Sequence, residues 1–209
     1  MSGVAEDFAS VSIELPFSEK EIFSLLCEVE LLFRINPHLE IKSWKEEGKG
    51  KIYADKIINI DCLNEMNGLR QQMNLCVNDL QPGKSFSLKY DEGLKQATQF
   101  FVETIDHGRG RLTVKEIYHA EISVAEKEAR LNEVDKSLVP WGEAIHNYVM
   151  RRRRWDWIPF YAWLQDVFWL GMSPRHRRIT RMIIWTTVLE FVVFMFVFAI
   201  YWIELSRGQ

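Results

Sequence analysis

Between residues 39 and 122 the chain alternates apolar and polar positions in six runs, 39–44, 51–60, 69–80, 85–90, 96–105 and 111–122. Period-two alternation predicts half-buried β-strands, because successive side chains of a strand point to opposite faces. Gln81-Pro82-Gly83, Asp91-Glu92-Gly93 and Asp106-His107-Gly108 part the later runs, and these residue types favour tight turns. Short links between neighbouring strands predict an antiparallel meander. Ahead of it, residues 11–15 (VSIEL) make a seventh alternating run, stopped by Pro16. Ser18 with Glu21 three residues on reads as a capping box, opening a helix that carries Ile22, Phe23, Leu25 and Leu26. A second short helix over 29–33 ends near Asn36-Pro37, since a residue before proline is pushed out of the α region.

Beyond the sheet the period changes. Residues 123–139 are polar and rich in Ala, Glu and Lys, and read as a loop with some helix. Pro140 then sits in the first turn of a long helix, whose Trp141, Ile145, Tyr148 and Val149 form one apolar stripe. That helix runs into Arg151, Arg152, Arg153 and Arg154, and Pro159 kinks or restarts it. Residues 158–170 (IPFYAWLQDVFWL) are too few to cross a bilayer and suit an interfacial helix. Residues 182–205 carry only two charges, Glu190 and Glu204, and are long enough to span as a helix. The expected organisation is a main domain over 1–157, an interfacial helix and basic linker over 158–174, and a transmembrane anchor over 175–209. A curved sheet must bury one face, and the long helix is the natural lid.

Charge sharpens this picture. Residues 1–150 hold 17 basic against 25 acidic residues, whereas residues 151–209 hold 9 against 4. An acidic head excludes nucleic acid as its partner, because phosphate binding needs basic surface. Arg175, Arg177 and Arg178 join the four earlier arginines beside the apolar stretch, where anionic head groups lie. Seven of the eight tryptophans fall at or after Trp141, among them Trp155, Trp157, Trp163 and Trp169. Such rings gather at membrane interfaces. Eight of nine tail arginines precede the apolar stretch, so the positive-inside rule places the main domain in the cytoplasm. No signal peptide is read at the N-terminus. Cys27, Cys62 and Cys76 have no disulfide or metal spacing, as expected in a reducing compartment.

The element order resembles the helix-grip fold of the START-related superfamily (SRPBCC). The opening stretch VSIELPFSEKEIFSLLCEVELLFRINPHLEIKSW is similar to that family's start: a strand ending in proline, a capped helix with a buried Phe, then Asn-Pro before the second strand. Where the family has a Trp before Asn-Pro, Phe33-Arg34-Ile35 stands here. The resemblance runs over residues 8–157 and does not reach 158–209. It implies an α+β fold, with a curved antiparallel sheet of about seven strands, two short helices and a lid helix over an apolar cavity. Members carry lipids, sterols, quinones and other hydrophobic ligands, cyclise or dehydrate polyketides, or serve as accessory proteins of membrane enzymes.

The candidate cavity residues are Phe33, Met73, Phe100, Val102, Tyr118, His119, Trp141 and Ile145, each of which also suits plain core. His38, His107, His119, His146 and His176 lack the spacing of a metal site, so neither metal nor cofactor is expected. No G-x-S-x-G, P-loop or G-x-G-x-x-G occurs, and no acid–base pair stands out as a cyclase or dehydratase would need. Glu190 lies ~12 Å along a helix from Met182, and a carboxylate inside hydrocarbon costs on the order of 3 kcal/mol. It suits contact with another transmembrane subunit, or a protonated side chain tolerated by a very apolar helix. The expected function is non-catalytic binding or transfer of a lipid, sterol, hopanoid or quinone at a membrane. An accessory subunit of a membrane complex is the alternative, and a cyclase or dehydratase the lesser one.

Overall fold

The structure, a computed structural model, describes residues 7–48, 52–93, 95–106, 108–118 and 124–207, the side chains of residues 7 and 124–136 apart. It divides into two compact units, Met1–Gly171 and Met172–Gln209. The aromatic segment over 158–170 falls within the first unit.

The first unit is built on seven strands, β1 (Asp7–Leu15), β2 (Leu39–Glu46), β3 (Ile57–Asn64), β4 (Leu69–Gln81), β5 (Ser85–Tyr90), β6 (Lys95–Asp106) and β7 (Arg109–Tyr118). They form one antiparallel sheet in the order β1-β7-β6-β5-β4-β3-β2. The meander from β2 to β7 pairs each strand with the next, and β1 closes on β7 with Val11 opposite Val114. The run expected at 51–60 starts later. Asp55 takes a left-handed conformation, φ 61°, which breaks extended backbone, so β3 begins at Ile57.

Helix α1 (Glu19–Leu26) starts as its sequence dictates: the backbone N–H of Glu21 donates to the Ser18 hydroxyl, and the Glu21 carboxylate accepts from the Ser18 N–H at 2.8 Å. Helix α2 is Val29–Ile35. Ile22, Leu26, Leu32, Phe33 and Ile35 bury against the inner face of the sheet, where Leu75, Leu88, Phe100, Leu112 and Val114 project at period two.

Helix α3 (Val124–Trp155) is the chief departure from expectation. It runs for 32 residues with Pro140 inside it rather than at its first turn. Ala, Glu and Lys are strong helix formers, so the polar stretch before Pro140 is helix rather than loop. The stripe Leu138, Trp141, Ile145, Tyr148 and Val149 is buried as its spacing requires. Gly142 makes the close approach possible: a Cβ there would lie 3.1 Å from Val11 Cγ2 on β1. Past α3, Phe160 adopts φ 68° and a short helix α4 (Tyr161–Trp163) leads into a π-helical turn, Leu164–Trp169. The segment expected as one helix is therefore two unlike turns.

The second unit is a single helix, α5 (Pro174–Arg207), long and apolar enough to cross a membrane. Ser173 caps it, its hydroxyl accepting from the His176 N–H at 3.3 Å.

Candidate functional site

Trp141 fastens the lid. Its indole N–H donates to the Leu32 carbonyl of α2 at 2.9 Å. Its ring meets Phe33 at 5.7 Å and Phe100 at 6.0 Å between centroids. Phe100 stacks on Phe86 at 4.9 Å, and Phe33 meets Trp44 at 5.6 Å. These edge and stacked contacts form one aromatic wall from β2 through α2 and α3 to the middle of the sheet.

On one side of this wall lies a cavity of about 340 Å³. Phe33, Leu39, Met73 and Trp141 supply apolar walls, and the exposed Met66, Leu69 and Glu92 mark its mouth. Four of the expected cavity residues, Phe33, Met73, Tyr118 and Trp141, do line it. Phe100, Val102 and Ile145 do not; they are packed into the core, where the aromatic wall fills the space. His119, like His107, lies outside the described residues.

The cavity has a polar inner end that no sequence motif announces. Glu116 is 1% exposed, projecting inward from β7 between Val114 and Tyr118. It accepts from the Tyr118 hydroxyl at 2.5 Å and from the Lys95 ammonium. Lys95 and Tyr118 line the cavity, as does Tyr90, whose hydroxyl pairs with Thr98 at 2.9 Å. Burial works against the Lys95 charge, yet the Glu116 carboxylate outweighs it and holds the ammonium above its ordinary range. Burial raises the Tyr90 phenol. It also pushes the neighbouring Cys62 thiol up to about 11, which makes it no nucleophile. The expectation that no acid–base group stands out is thus revised: an ammonium and two phenols face the cavity. Among the described residues no His, Cys, Asp and Glu group could hold a metal ion.

No protein-family model matches the chain, and no curated protein does. Solved structures do resemble it. A START superfamily protein of Mycobacterium smegmatis superposes with a TM-score of 0.50 at 14% identity, over 69% of this chain and 97% of its own. An aromatase/cyclase of a Streptomyces species gives 0.52 at 16%, over 71% and 96%. Norcoclaurine synthase of Thalictrum flavum, solved with dopamine and hydroxybenzaldehyde, gives 0.53 at 11%, over 70% and 88%. The chain has the START-type helix-grip fold. At these identities the likeness is one of fold.

The helix-grip domain has two further cavities. One of about 370 Å³ is lined by residues 27–31 with Arg34, Glu46 and Asp166. The other, of about 200 Å³, lies between α1, α2 and the end of α3 and shares no lining residue with the first. Beside it Arg152 donates to Asp166 at 2.5 Å and to the Tyr148 hydroxyl at 2.9 Å, while Tyr148 donates to Asp166 at 2.8 Å. This clasp ties the π-helical turn to the lid. Arg153 donates to the Pro16 carbonyl at 2.5 Å, and Arg154 lies over the Trp155 ring. Arg151 is exposed. Trp155, Trp157 and Trp163 are exposed, as are Phe160, Leu164, Val167 and Phe168, whereas Trp169 is partly buried against the core. So many exposed large apolar side chains within one short segment point to an interaction site.

In the second unit Arg175, Arg177 and Arg178 occupy the first turns of α5. Thr186 returns its hydroxyl to the Met182 carbonyl at 3.0 Å. The exposed Glu190 has no partner among the described residues.

Proposed function

We propose that the helix-grip domain binds, and passes to or from a bilayer, one hydrophobic molecule in the cavity lined by Phe33, Met73 and Trp141, with α5 as the membrane tether and the arginine-rich side facing the cytoplasm. The observation that carries this reading is the cavity itself. It lies at the lower end of the ~300–1,000 Å³ typical of ligand pockets, and Phe33, Leu39, Met73 and Trp141 give it apolar wall beside polar groups such as Asn36, Asn64 and Gln71. Burying an apolar ligand there yields roughly 25 cal/mol per Å² without any catalytic step. The Streptomyces aromatase/cyclase and norcoclaurine synthase, which share the fold, act on small molecules. The exposed aromatic surface from Trp157 to Phe168 with Arg151 suits the interfacial layer next to the tether. Organic extraction of the purified full chain should recover a hydrophobic molecule, and Met73→Trp, which fills the cavity, should abolish that recovery. Extracts empty at every stoichiometry would overturn the reading.

A second reading rests on Glu190, a carboxylate without a partner in an apolar helix. Such a group marks contact with another transmembrane subunit, which would make the chain an accessory to a membrane complex. Affinity capture in mild detergent should then recover a partner that Glu190→Leu loses; unchanged recovery would leave α5 as a tether alone.

A further inference from the structure

We propose that the cavity lined by Trp141 and Lys95 selects an uncharged carbonyl-bearing molecule, its oxygen received by the Lys95 ammonium. This deepens the binding reading above and rests on it.

The argument is one of charge and donor count. Lys95 lines the cavity, while its carboxylate partner Glu116 lies behind it, almost fully buried. The two charges cancel, and Glu92 at the mouth adds a negative one. His38 is the other titratable group on the wall besides the tyrosines. A ligand carboxylate or phosphate arriving at Lys95 would meet the Glu116 charge directly behind, so an anion gains little from the ammonium and is repelled by its partner.

A pure hydrocarbon fails for the opposite reason. An ammonium has three N–H donors, and among the described residues Glu116 is the hydrogen-bond partner of Lys95. A hydrocarbon would expel water and leave charged donors unsatisfied. A neutral oxygen acceptor satisfies them. Beside Lys95 a carbonyl fits better than a hydroxyl, because it brings no donor of its own to a corner whose acceptors are engaged; Glu92, Gln71 and Ser137 line other parts of the cavity. Both Glu116 oxygens are already taken, by Lys95 and by Tyr118, and the Tyr90 hydroxyl is engaged with Thr98.

Three naphthalenes of nearly equal size test this on the full chain in nanodiscs, with empty discs correcting for partition: acetylnaphthalene, ethylnaphthalene and naphthoate. Equilibrium dialysis should show the ketone bound about tenfold or more tighter than the hydrocarbon, as a hydrogen bond to a charged group implies, and tighter than naphthoate. Glu116→Gln leaves the ammonium uncompensated and should reverse the order of naphthoate and ketone. Lys95→Met should bring ketone and hydrocarbon together, and Lys95→Met with Glu116→Gln should do the same without a stranded charge. Naphthoate binding tightest to the unaltered protein, or ketone and hydrocarbon binding equally, would overturn the carbonyl proposal while leaving the cavity a binding site. Binding of none of the three would overturn both.

Discussion

Trp141→Ala is expected to cost the helix-grip domain about 3–5 kcal/mol, the range for truncating a buried large aromatic. The residue is 4% exposed and ties three elements together: its ring meets Phe33 of α2 and Phe100 of β6 from its place on α3. The change also strips the Leu32 carbonyl of its donor, and a buried acceptor left unmet adds its own penalty. At ~2–4 °C per kcal/mol for a domain of this size, thermal unfolding should fall by roughly 10 °C. Trp141→Phe keeps a ring and should lose less than half as much. A shift of under ~2 °C for the alanine variant would mean that the lid is held chiefly by other contacts, such as its close approach to β1 at Gly142.

Lys95→Met is the second large effect. It removes the counter-charge of a carboxylate that is 1% exposed. Breaking a buried ion pair from one side costs ~3–5 kcal/mol, but the Lys95 side chain is 36% exposed, so about 2 kcal/mol is expected. Adding Glu116→Gln should restore most of the loss, because no charge is then stranded. The pH dependence has a definite sign. The folded-state pKa of Lys95 lies above its ordinary 10.5. Its stabilising contribution is therefore fully present below that ordinary value and is lost as pH rises through the folded one. Denaturant midpoints of the unaltered protein and Lys95→Met should differ at pH 7 to 9 and draw together as pH rises above about 10.5. A constant gap across that range would mean that the ammonium does not stabilise the fold.

The same two residues show where sequence reading reaches its limit. Strand periodicity was enough for the meander, since turns rich in Pro, Gly and Asp mark its links and apolar residues keep one parity through each strand. Glu116 was legible in principle: in β7 it is the one charged residue sharing parity with Leu112, Val114 and Tyr118. Lys95 was not. Thr98, Phe100 and Val102 set the inward parity of β6, by which Lys95 belongs outside. A bulge between Lys95 and Ala97 shifts the register and brings Lys95 opposite Tyr118. One extra residue flips every side chain beyond it, and nothing local in the sequence marks that bulge. The start of α3 was missed for a plainer cause: polarity shows that a segment meets water, not that it lacks a helix. The clasp of Tyr148, Arg152 and Asp166 joins residues from either side of Pro159. It was hidden because a run of four arginines looks uniform until the fold gives each one a different neighbour.

Trp141 serves the cavity and the core at once. It lines the cavity, and its ring packs on Phe33 and Phe100. A molecule seated against that ring would press on the same contacts that hold α3 to the sheet. Filling the cavity and keeping the helix in place would then be one event, so an emptied domain would be the one whose helix loosens first.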